Sequence, residues 1–336
     1  MYVCLVPIDG KAILTTMKKL ALLVTALMLF SPAAYADEDF DIWLREFAQE
    51  AVDKGISVPT VEQALSGVRP IEQVLRLDRK QPESTITFDQ YRQNVVTPTR
   101  VKKGKELYNK NRALLDRISH ESGVPPQYII ALWGIETSYG ENTGNFNVIP
   151  ALATLAYDGR RSGYFKGELI NALKILDQGH ITLAEMKGSW AGAMGQNQFM
   201  PSSFLSYSAD GDGDGKRDIW NSLPDVFASS ARYLKEGGWR PDQKWGREVS
   251  LPTSIPESFT GIENSRFVSE WKEMGVFLAS GQPIPVTERT KASIILPDGP
   301  SGPAFLVYDN YRVIMKWNKS LYFATSVGLL ADRIAQ

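Results

Sequence analysis

The apolar positions of the chain recur mostly with helical spacing. Between Phe40 and Val52 they return every three or four residues, and Gly55 ends the run. The same spacing predicts further helices, over 60–65, 105–120, 151–157, 164–176, 225–234 and 318–334. The chain is therefore expected to be mainly helical.

The predicted helix over residues 129–140, IIALWGIETSYG, carries a single charge in an apolar stretch. Pro126 suits its start and Gly140 its end. Trp133 and Glu136 fall on the same apolar stripe, so the carboxylate is expected to be desolvated and its pKa raised, as a general acid requires. A buried Glu satisfied by an arginine or by backbone donors fits the helix alone equally well.

Strand-like patterns gather near the end of the chain. Segments 292–296 and 305–308 are predicted as strands, and 311–317 as a third strand that forms a hairpin with 305–308. Residues 245–285 are rich in Pro, Ser and Gly, and 81–87 look irregular. The expected class is mainly α, or α+β, with a small β part.

The N-terminal residues 1–36 have the three parts of a secretory signal peptide. Two lysines follow Met17, an apolar run covers 20–30, and small residues precede a cleavage site after Ala36. Met17 is the predicted true start. A membrane anchor is disfavoured because the run is short. The single cysteine, Cys4, precedes the run, so neither a lipid anchor nor a disulfide is expected, and the mature protein is predicted to be soluble and periplasmic.

Charge and composition narrow the chemistry. With 37 basic and 38 acidic residues and no dense basic run, the chain gives no support for nucleic-acid binding. Its two histidines, His120 and His180, lie outside HExxH and nucleophile-elbow motifs and are predicted to be solvated. Carboxylate chemistry beside Tyr, Trp and amide side chains remains, which is typical of glycan-cleaving sites.

Residues 187–203, KGSWAGAMGQNQFMPSS, combine small residues with three consecutive amide-bearing positions, 196–198. Small residues let the backbone approach a ligand or a neighbouring segment closely. The amides could bond sugar hydroxyls, and tight packing without function explains this stretch equally well.

Residues 210–215, DGDGDG, fit the first half of an EF-hand loop. Carboxylates at alternate positions converge on a hard cation, which favours a structural Ca²⁺ over a plain acidic turn. The twelfth loop position is Asn221 rather than Glu, so Asp218, Asp225 or water would have to complete the shell.

Together these motifs resemble the bacterial lytic murein transglycosylase B family. The resemblance rests on WGIETSYG, ALATLAYDGRR, GSWAGAMGQNQFMPSS, the Asp-Gly loop and GPAFLVYDNYRVIMKWNKSLYFA, in that order along the mature chain. It implies a lysozyme-like core with a cleft for peptidoglycan strands. The implied transglycosylase domain, 37–336, divides into a helical N-terminal part (37–104), a catalytic core with the Asp-Gly loop (105–240, loop 210–225), and a small β part with a returning C-terminal helix (241–336).

The resemblance assigns Glu136 the catalytic position. The implied reaction cleaves the β-1,4 bond between N-acetylmuramic acid and N-acetylglucosamine without water, leaves 1,6-anhydro ends, and needs no catalytic cofactor. The expected partners are peptidoglycan strands and cell-wall synthesis or division proteins. Two alternatives stay open: a hydrolytic muramidase with Glu141 or Asp158 as second carboxylate, and a non-catalytic peptidoglycan-binding protein.

Further site residues follow from the resemblance alone. The implied substrate contacts are Ser189, Gln198, Tyr233, Tyr91, Trp317, Asn318 and Tyr322. The implied calcium ligands are Asp210, Asp212, Asp214, Lys216 through its carbonyl, and Asp225. Phe323 stands where some relatives have Tyr, and Asp225 comes one residue later than the family pattern.

Overall fold

A computed structural model describes residues 32–79, 86–253, 255–285 and 290–336. The signal-peptide prediction for 1–36 lies outside these ranges up to residue 31, and the irregular segment predicted for 81–87 lies outside them up to residue 85.

Most of the described residues are helical, as expected. The helices are Pro32–Asp53, Val58–Leu65, Glu72–Arg79, Phe88–Val95, Pro98–Lys110, Arg112–Ser122, Pro126–Thr137, Val148–Tyr157, Ser162–Asp177, Pro201–Tyr207, Leu223–Glu236, Val268–Glu273, Asp309–Trp317 and Leu321–Ala335. A 3-10 turn covers Glu257–Phe259. We call Pro126–Thr137 the Glu136 helix and Leu321–Ala335 the C-terminal helix.

Several helix predictions need correction. The helix predicted to end at Gly140 ends at Thr137, and the helix predicted over 151–157 begins at Val148. The single helix predicted for 105–120 belongs to two helices that meet at Asn111, whose φ of −106° and ψ of 16° leave the helical region. The Leu107 carbonyl accepts from both the backbone amide of Asn111 at 3.1 Å and its side-chain amide at 2.8 Å, and such a local side-chain bond competes with regular helix. The helix predicted to begin at Thr60 already begins at Val58, after Ser57.

The β part is a five-stranded antiparallel sheet with strand order β4-β6-β7-β3-β5. A separate two-stranded pair joins β1 to β2. The strands are β1 Phe146–Asn147, β2 Lys187–Gly188, β3 Gly246–Ser250, β4 Ser265–Phe267, β5 Phe277–Leu278, β6 Lys291–Ile295 and β7 Ala304–Val307. The strands predicted for 292–296 and 305–308 are confirmed as β6 and β7, each to within a residue.

The strand and hairpin predicted for 311–317 are wrong, because this segment is a helix, Asp309–Trp317. Its sequence contains Tyr, Val and Ile, which are common in strands. However, Asn310, Tyr311 and Ile314 are all fully buried, which is the spacing of one helical face. Packing of that face outweighs the strand preference of Tyr, Val and Ile.

Three hydrophobic clusters hold the molecule together. The first joins the Glu136 helix to the C-terminal helix and to β7 through Phe305 and Val307. The second joins the N-terminal helices from Phe40 to Val74 to residues between Val148 and Ile219. The third lies in the β part around Trp271. The predicted N-terminal part thus shares a core with the middle of the chain, and the division at 104 and 240 stays a prediction.

Trp317 packs against both the first and the second cluster. It therefore lies at the seam between them, where the Glu136 helix also ends. Among the described residues, no helix is both long enough and apolar enough to pass through a bilayer.

Candidate active site

The Glu136 helix ends in an uncommon turn. Ser138 and Tyr139 have φ values of 52° and 65°, and Gly140 continues at 84°. Left-handed backbone is unfavourable for residues other than glycine, so it needs support from its surroundings. The Tyr139 hydroxyl donates to the Arg100 carbonyl at 2.7 Å, and the Arg100 guanidinium donates to Ser138 Oγ at 3.1 Å. The turn after Glu136 is thereby fixed to the Pro98–Lys110 helix.

Glu136 is held by one hydrogen bond. The Trp317 indole Nε1 donates to Glu136 Oε1 at 2.7 Å. Burial raises the pKa of Glu136 to about 7, and the indole N–H opposes this rise by favouring the ionised form. Both protonation states are accordingly populated near neutral pH. The raised pKa expected from the sequence agrees with this environment.

Aromatic rings continue outward from Trp317. Its ring centroid lies 5.0 Å from that of Phe199 and 4.7 Å from that of Tyr233. Tyr233 packs on Tyr207 at 4.4 Å, and its hydroxyl donates to the Lys316 carbonyl at 2.7 Å. Two residues predicted to contact substrate, Trp317 and Tyr233, thus form one surface beside Glu136.

The Gly-rich stretch supplies the neighbouring segment. Gln198 has a φ of 50°, and its Nε2 donates to the Thr143 carbonyl at 3.0 Å. Ser189 Oγ accepts from the Ala193 amide at 3.1 Å. Gly188 is needed because a Cβ there would lie 2.1 Å from the Ala193 carbonyl oxygen. The close backbone approach predicted for 187–203 is confirmed.

Two of the three predicted groove amides have structural roles instead. Gln196 is buried, accepts from the Trp133 indole at 2.8 Å and donates to the Trp220 carbonyl at 2.8 Å. Asn197 is buried and donates to the Val226 carbonyl at 2.8 Å. Only Gln198 keeps partial exposure. The sequence did not distinguish the two buried amides from the partly exposed one.

The remaining predicted substrate contacts line a groove of about 790 Å³. Tyr91 and Tyr322 pack together at 5.7 Å, and Asn318 accepts from the Ser320 amide at 3.0 Å. The groove lining is Ile86, Tyr91, Asn318, Lys319, Ser320, Leu321, Tyr322 and Phe323. The structure thus places Tyr233 against Trp317 and puts Tyr91, Asn318 and Tyr322 in this groove. Ser189 and Gln198 lie in the Gly-rich stretch, with contacts to Ala193 and Thr143.

The candidate second carboxylates are occupied by ion pairs. Glu141 pairs with Lys103 at 2.5 Å, and Asp158 pairs with Arg79 at 3.3 Å. The Glu141 side chain is exposed, and that of Asp158 is partly exposed.

The predicted calcium loop brings three carboxylates together. One oxygen from each of Asp210, Asp212 and Asp214 lies within 4.8 Å of the others, and all three residues are exposed. These clustered oxygen donors fit a hard cation. Asp225 lies behind them, buried, with its oxygens accepting from the Gly211 and Asp218 amides at 2.7 and 2.6 Å. The Lys216 amide donates to Asp214 Oδ1 at 2.8 Å.

The histidine predictions have different outcomes. His120 is exposed, as predicted. The prediction that His180 is solvated is wrong, because its side chain is partly buried. Its Nε2 lies 2.7 Å from the Arg217 guanidinium, and its ring packs near Phe204. Burial and the Arg217 charge lower the pKa of His180. Through its contact with Arg217, His180 stabilises the segment that follows the Asp-Gly loop.

A single desolvated carboxylate at a helix end, beside aromatic and amide side chains in a mainly helical fold, defines a lysozyme-like glycan-cleaving enzyme. The family model described as Transglycosylase SLT domain matches residues 39–332. Membrane-bound lytic murein transglycosylase B of Escherichia coli (strain K12) is 31% identical over 305 residues, which is 86% of this chain and 82% of that protein. The chain belongs to the Transglycosylase SLT domain family, and it is a lytic transglycosylase.

Solved structures agree with this assignment. SltB3 from Pseudomonas aeruginosa, in complex with NAG-anhNAM-pentapeptide, matches with a TM-score of 0.85 and 43% identity, covering 88% of this chain and 79% of that chain. Escherichia coli Slt35 in complex with calcium matches with a TM-score of 0.75 and 29% identity, covering 87% and 92%. The family and fold class expected from the sequence are confirmed.

Sequence reasoning missed several neighbours of the site. The Trp317–Glu136 bond and the supporting rings of Phe199 and Tyr207 were not predicted. Phe199 stands within the Gly-rich stretch, which was a usable signal. The pairing of Trp317 with Glu136 has no signal in a single sequence.

Proposed function

We propose that this lytic transglycosylase cleaves the β-1,4 bond between N-acetylmuramic acid and N-acetylglucosamine of peptidoglycan with Glu136 as the catalytic residue. The observation that carries the proposal is the environment of Glu136: burial places its pKa at about 7, and Trp317 fixes one of its oxygens. A carboxyl with such a pKa can both give and accept a proton at neutral pH.

In the first step the protonated carboxyl of Glu136 donates its proton to the glycosidic oxygen. The bond from that oxygen to C1 of the muramyl residue breaks, and positive charge develops on the sugar ring. Trp317 occupies Oε1 as a donor. Oε2 is therefore the oxygen that carries the proton toward the substrate.

In the second step the Glu136 carboxylate accepts the proton of the muramyl C6 hydroxyl. The C6 oxygen bonds to C1 and closes a 1,6-anhydro ring, which restores the protonated acid and consumes no water. The nucleophile belongs to the substrate, so orientation replaces a second carboxylate. Glu141 and Asp158 form ion pairs, which is consistent with a reaction that needs no second carboxylate.

The other predicted side chains bind and orient the glycan. Ser189, Gln198, Tyr233 and Trp317 would contact sugars near the cleaved bond, and Tyr91, Asn318 and Tyr322 would contact the strand farther along. Aromatic rings and amides suit the apolar faces and hydroxyls of sugars. Complexes of SltB3 with NAG-NAM-pentapeptide support this class of ligand.

The Asp-Gly loop is proposed to hold a structural Ca²⁺ through Asp210, Asp212, Asp214 and the Lys216 carbonyl, with Asp225 behind them. Support comes from the clustered carboxylates and from the calcium complex of Slt35. Bound calcium would supply positive charge that offsets the repulsion among three carboxylates. The ion takes no part in the cleavage.

Three further proposals concern the setting of the enzyme. Export through the signal region 1–36 would place it in the periplasm as a soluble protein. The domain would divide at 104 and 240. Cell-wall synthesis or division proteins would be its partners, because uncontrolled cleavage of the wall is harmful.

Product analysis tests the proposed reaction. The purified protein is incubated with peptidoglycan, and the released muropeptides are weighed by mass spectrometry. Products ending in 1,6-anhydromuramic acid are expected. Products heavier by one water would identify a hydrolytic muramidase, and absence of soluble product together with glycan binding would identify a binding protein.

A further inference from the structure

The loop between β6 and β7 contacts the start of the Phe88–Val95 helix. Asp298, in this loop, accepts from the Phe88 amide at 2.5 Å through Oδ1 and from the Asp89 amide at 3.2 Å through Oδ2. The first amides of a helix lack partners within the helix and carry partial positive charge. A carboxylate at this place therefore fixes where the helix begins.

The helix's own cap leaves these two amides unpaired. The Thr87 side chain accepts from the Gln90 amide at 3.2 Å, and Gln90 accepts from the Thr87 amide at 3.1 Å. Among the amides inside the helix, this reciprocal cap pairs that of the third position, Gln90. Asp298 satisfies the first and second positions from a part of the chain more than two hundred residues away.

The same carboxylate also holds a ring of the groove. The Tyr322 hydroxyl donates to Asp298 Oδ1 at 3.0 Å. Tyr91, three residues after Phe88, packs against Tyr322 at 5.7 Å, and both rings line the 790 Å³ groove. One side chain thus bonds Tyr322 directly and fixes the start of the helix that carries Tyr91.

Phe88 connects the start of its helix, and the ring of Tyr322, to the five-stranded sheet. Phe88 is fully buried, with its ring 5.8 Å from Phe305 of β7 and 5.5 Å from Tyr322. A Cβ on Gly302 would lie 2.6 Å from the Asp298 Cβ. The loop therefore holds Asp298 in one position, and the sheet holds the loop.

We propose that Asp298 is a positioning residue for substrate binding, which sets the spacing between Tyr91 and Tyr322 and thereby gives the β part control over the width of the groove. The proposal rests on the function proposed above, in which the two tyrosines contact the glycan. Asp298 itself does not touch the substrate.

The test is Asp298→Asn, which keeps the size of the side chain but replaces one acceptor oxygen by an amide that cannot accept. Because hydrogen bonds to a charged acceptor are lost, we expect KM for a GlcNAc-MurNAc tetrasaccharide to rise about five- to tenfold while kcat changes less than about twofold. The pH profile is expected to stay unchanged, because Glu136 keeps its neighbours.

Binding is measured separately by calorimetry with the same tetrasaccharide in the Glu136→Gln background. The matched control is Glu270→Gln in the same β part, because Glu270 accepts from the Phe267 amide at 2.7 Å at the start of another helix. This control is expected to keep the wild-type KM. An equal rise in KM for both variants would overturn the proposal.

Two further variants keep the outcomes distinct. Gly302→Ala retains the carboxylate but displaces it, and it is expected to raise KM even if Asp298→Asn fails to fold. If Tyr91→Ala weakens binding while Asp298→Asn and Gly302→Ala do not, the positioning role is wrong and the groove assignment stands. If Tyr91→Ala binds as tightly as the wild type, the groove assignment fails and the positioning role fails with it.

Discussion

The indole nitrogen of Trp317 lies 2.7 Å from a carboxylate oxygen of Glu136, although 181 residues separate them in the chain. The bond joins the end of the Glu136 helix to the end of the Asp309–Trp317 helix. It favours the ionised carboxylate against the burial that favours the neutral acid. The balance of these two effects sets the proton affinity on which the proposed reaction depends.

Glu136→Gln is expected to lower turnover at least about a hundredfold, because an amide can neither donate nor accept the catalytic proton. The rate of soluble muropeptide release measures the loss. Glu141→Gln is the matched control, since Glu141 is exposed and paired with Lys103, and it should remain near wild type. Substantial activity in Glu136→Gln would contradict the assigned role.

Trp317→Phe keeps an aromatic ring against Phe199 and Tyr233 but removes the N–H donor. The pKa of Glu136 should rise further, so the protonated acid persists to higher pH. We therefore expect the alkaline limb of kcat/KM to move to higher pH in a pH–rate profile. Tyr233→Phe leaves the donor intact and should keep the wild-type limb. A limb that stays in place in Trp317→Phe would show that the indole does not tune Glu136.

The stability of the protein should depend on pH through Glu136. Its folded pKa of about 7 lies above the ordinary glutamate pKa of 4.5, so between these values the folded state binds more protons than the unfolded state. The free energy of unfolding should thus fall by roughly 2–3 kcal/mol as pH rises from 4.5 to 7, at about 1.4 kcal/mol per pKa unit. Urea unfolding of the wild type and Glu136→Gln at several pH values tests this, and the variant should lack that contribution to the slope. Parallel curves would contradict it.

Calcium should raise the melting temperature, because an ion that binds only the folded loop stabilises that state. Thermal unfolding with calcium and with a chelator measures the shift. Asp212→Ala should abolish it, whereas Asp242→Ala, which removes an exposed carboxylate outside the loop, should preserve it. If both variants respond alike, the three aspartates form an ordinary acidic turn.

Asp78 is buried and accepts from Arg160 Nε at 2.9 Å and Arg161 Nη2 at 2.6 Å. Burial alone would raise the pKa of Asp78, but the two guanidinium groups hold it below its usual range. Asp78→Asn should lower the free energy of unfolding by about 1–2 kcal/mol. The loss should be smaller than for breaking a fully buried ion pair, because both arginines are half exposed.

The loss is measured by urea unfolding at neutral pH, and the stabilisation in the wild type should disappear as pH falls through the lowered pKa. Asp41→Asn, which breaks a more exposed pair with Arg69, should cost under about 0.5 kcal/mol. Equal losses of unfolding free energy in the two variants would contradict the prediction that burial strengthens the contribution of Asp78.

The Glu136 helix could be predicted from its sequence because local signals agree there. Pro126 begins it, the turn through Gly140 follows it, and nearly every residue between is apolar. In the Asp309–Trp317 helix the local signals conflict. Its Tyr, Val and Ile residues suit a strand, and the burial of Tyr311 and Ile314 on one face decides for a helix. That burial is a property of the whole fold.

The candidate site was predictable in its residue types but not in their directions. The sequence offers three consecutive amide side chains with similar chemistry, at 196–198. The structure buries that of Gln196, which accepts a hydrogen bond from the Trp133 indole. Which amide faces outward depends on backbone angles such as the φ of 50° at Gln198. Asp298 gave no signal at all, since its partners lie in distant helices.

The distance along the chain between Glu136 and Trp317 also bears on the order in which the site assembles during folding. The donor to Glu136 lies 181 residues further along the chain, and part of the groove beyond it comes from residues 318–323. Contacts so far apart form only after a long loop has closed. A folding intermediate that lacks these contacts would hold Glu136 with neither the indole nor the adjoining wall, so we expect the candidate site to be completed late in folding, when the Asp309–Trp317 helix and the C-terminal helix pack onto the Glu136 helix.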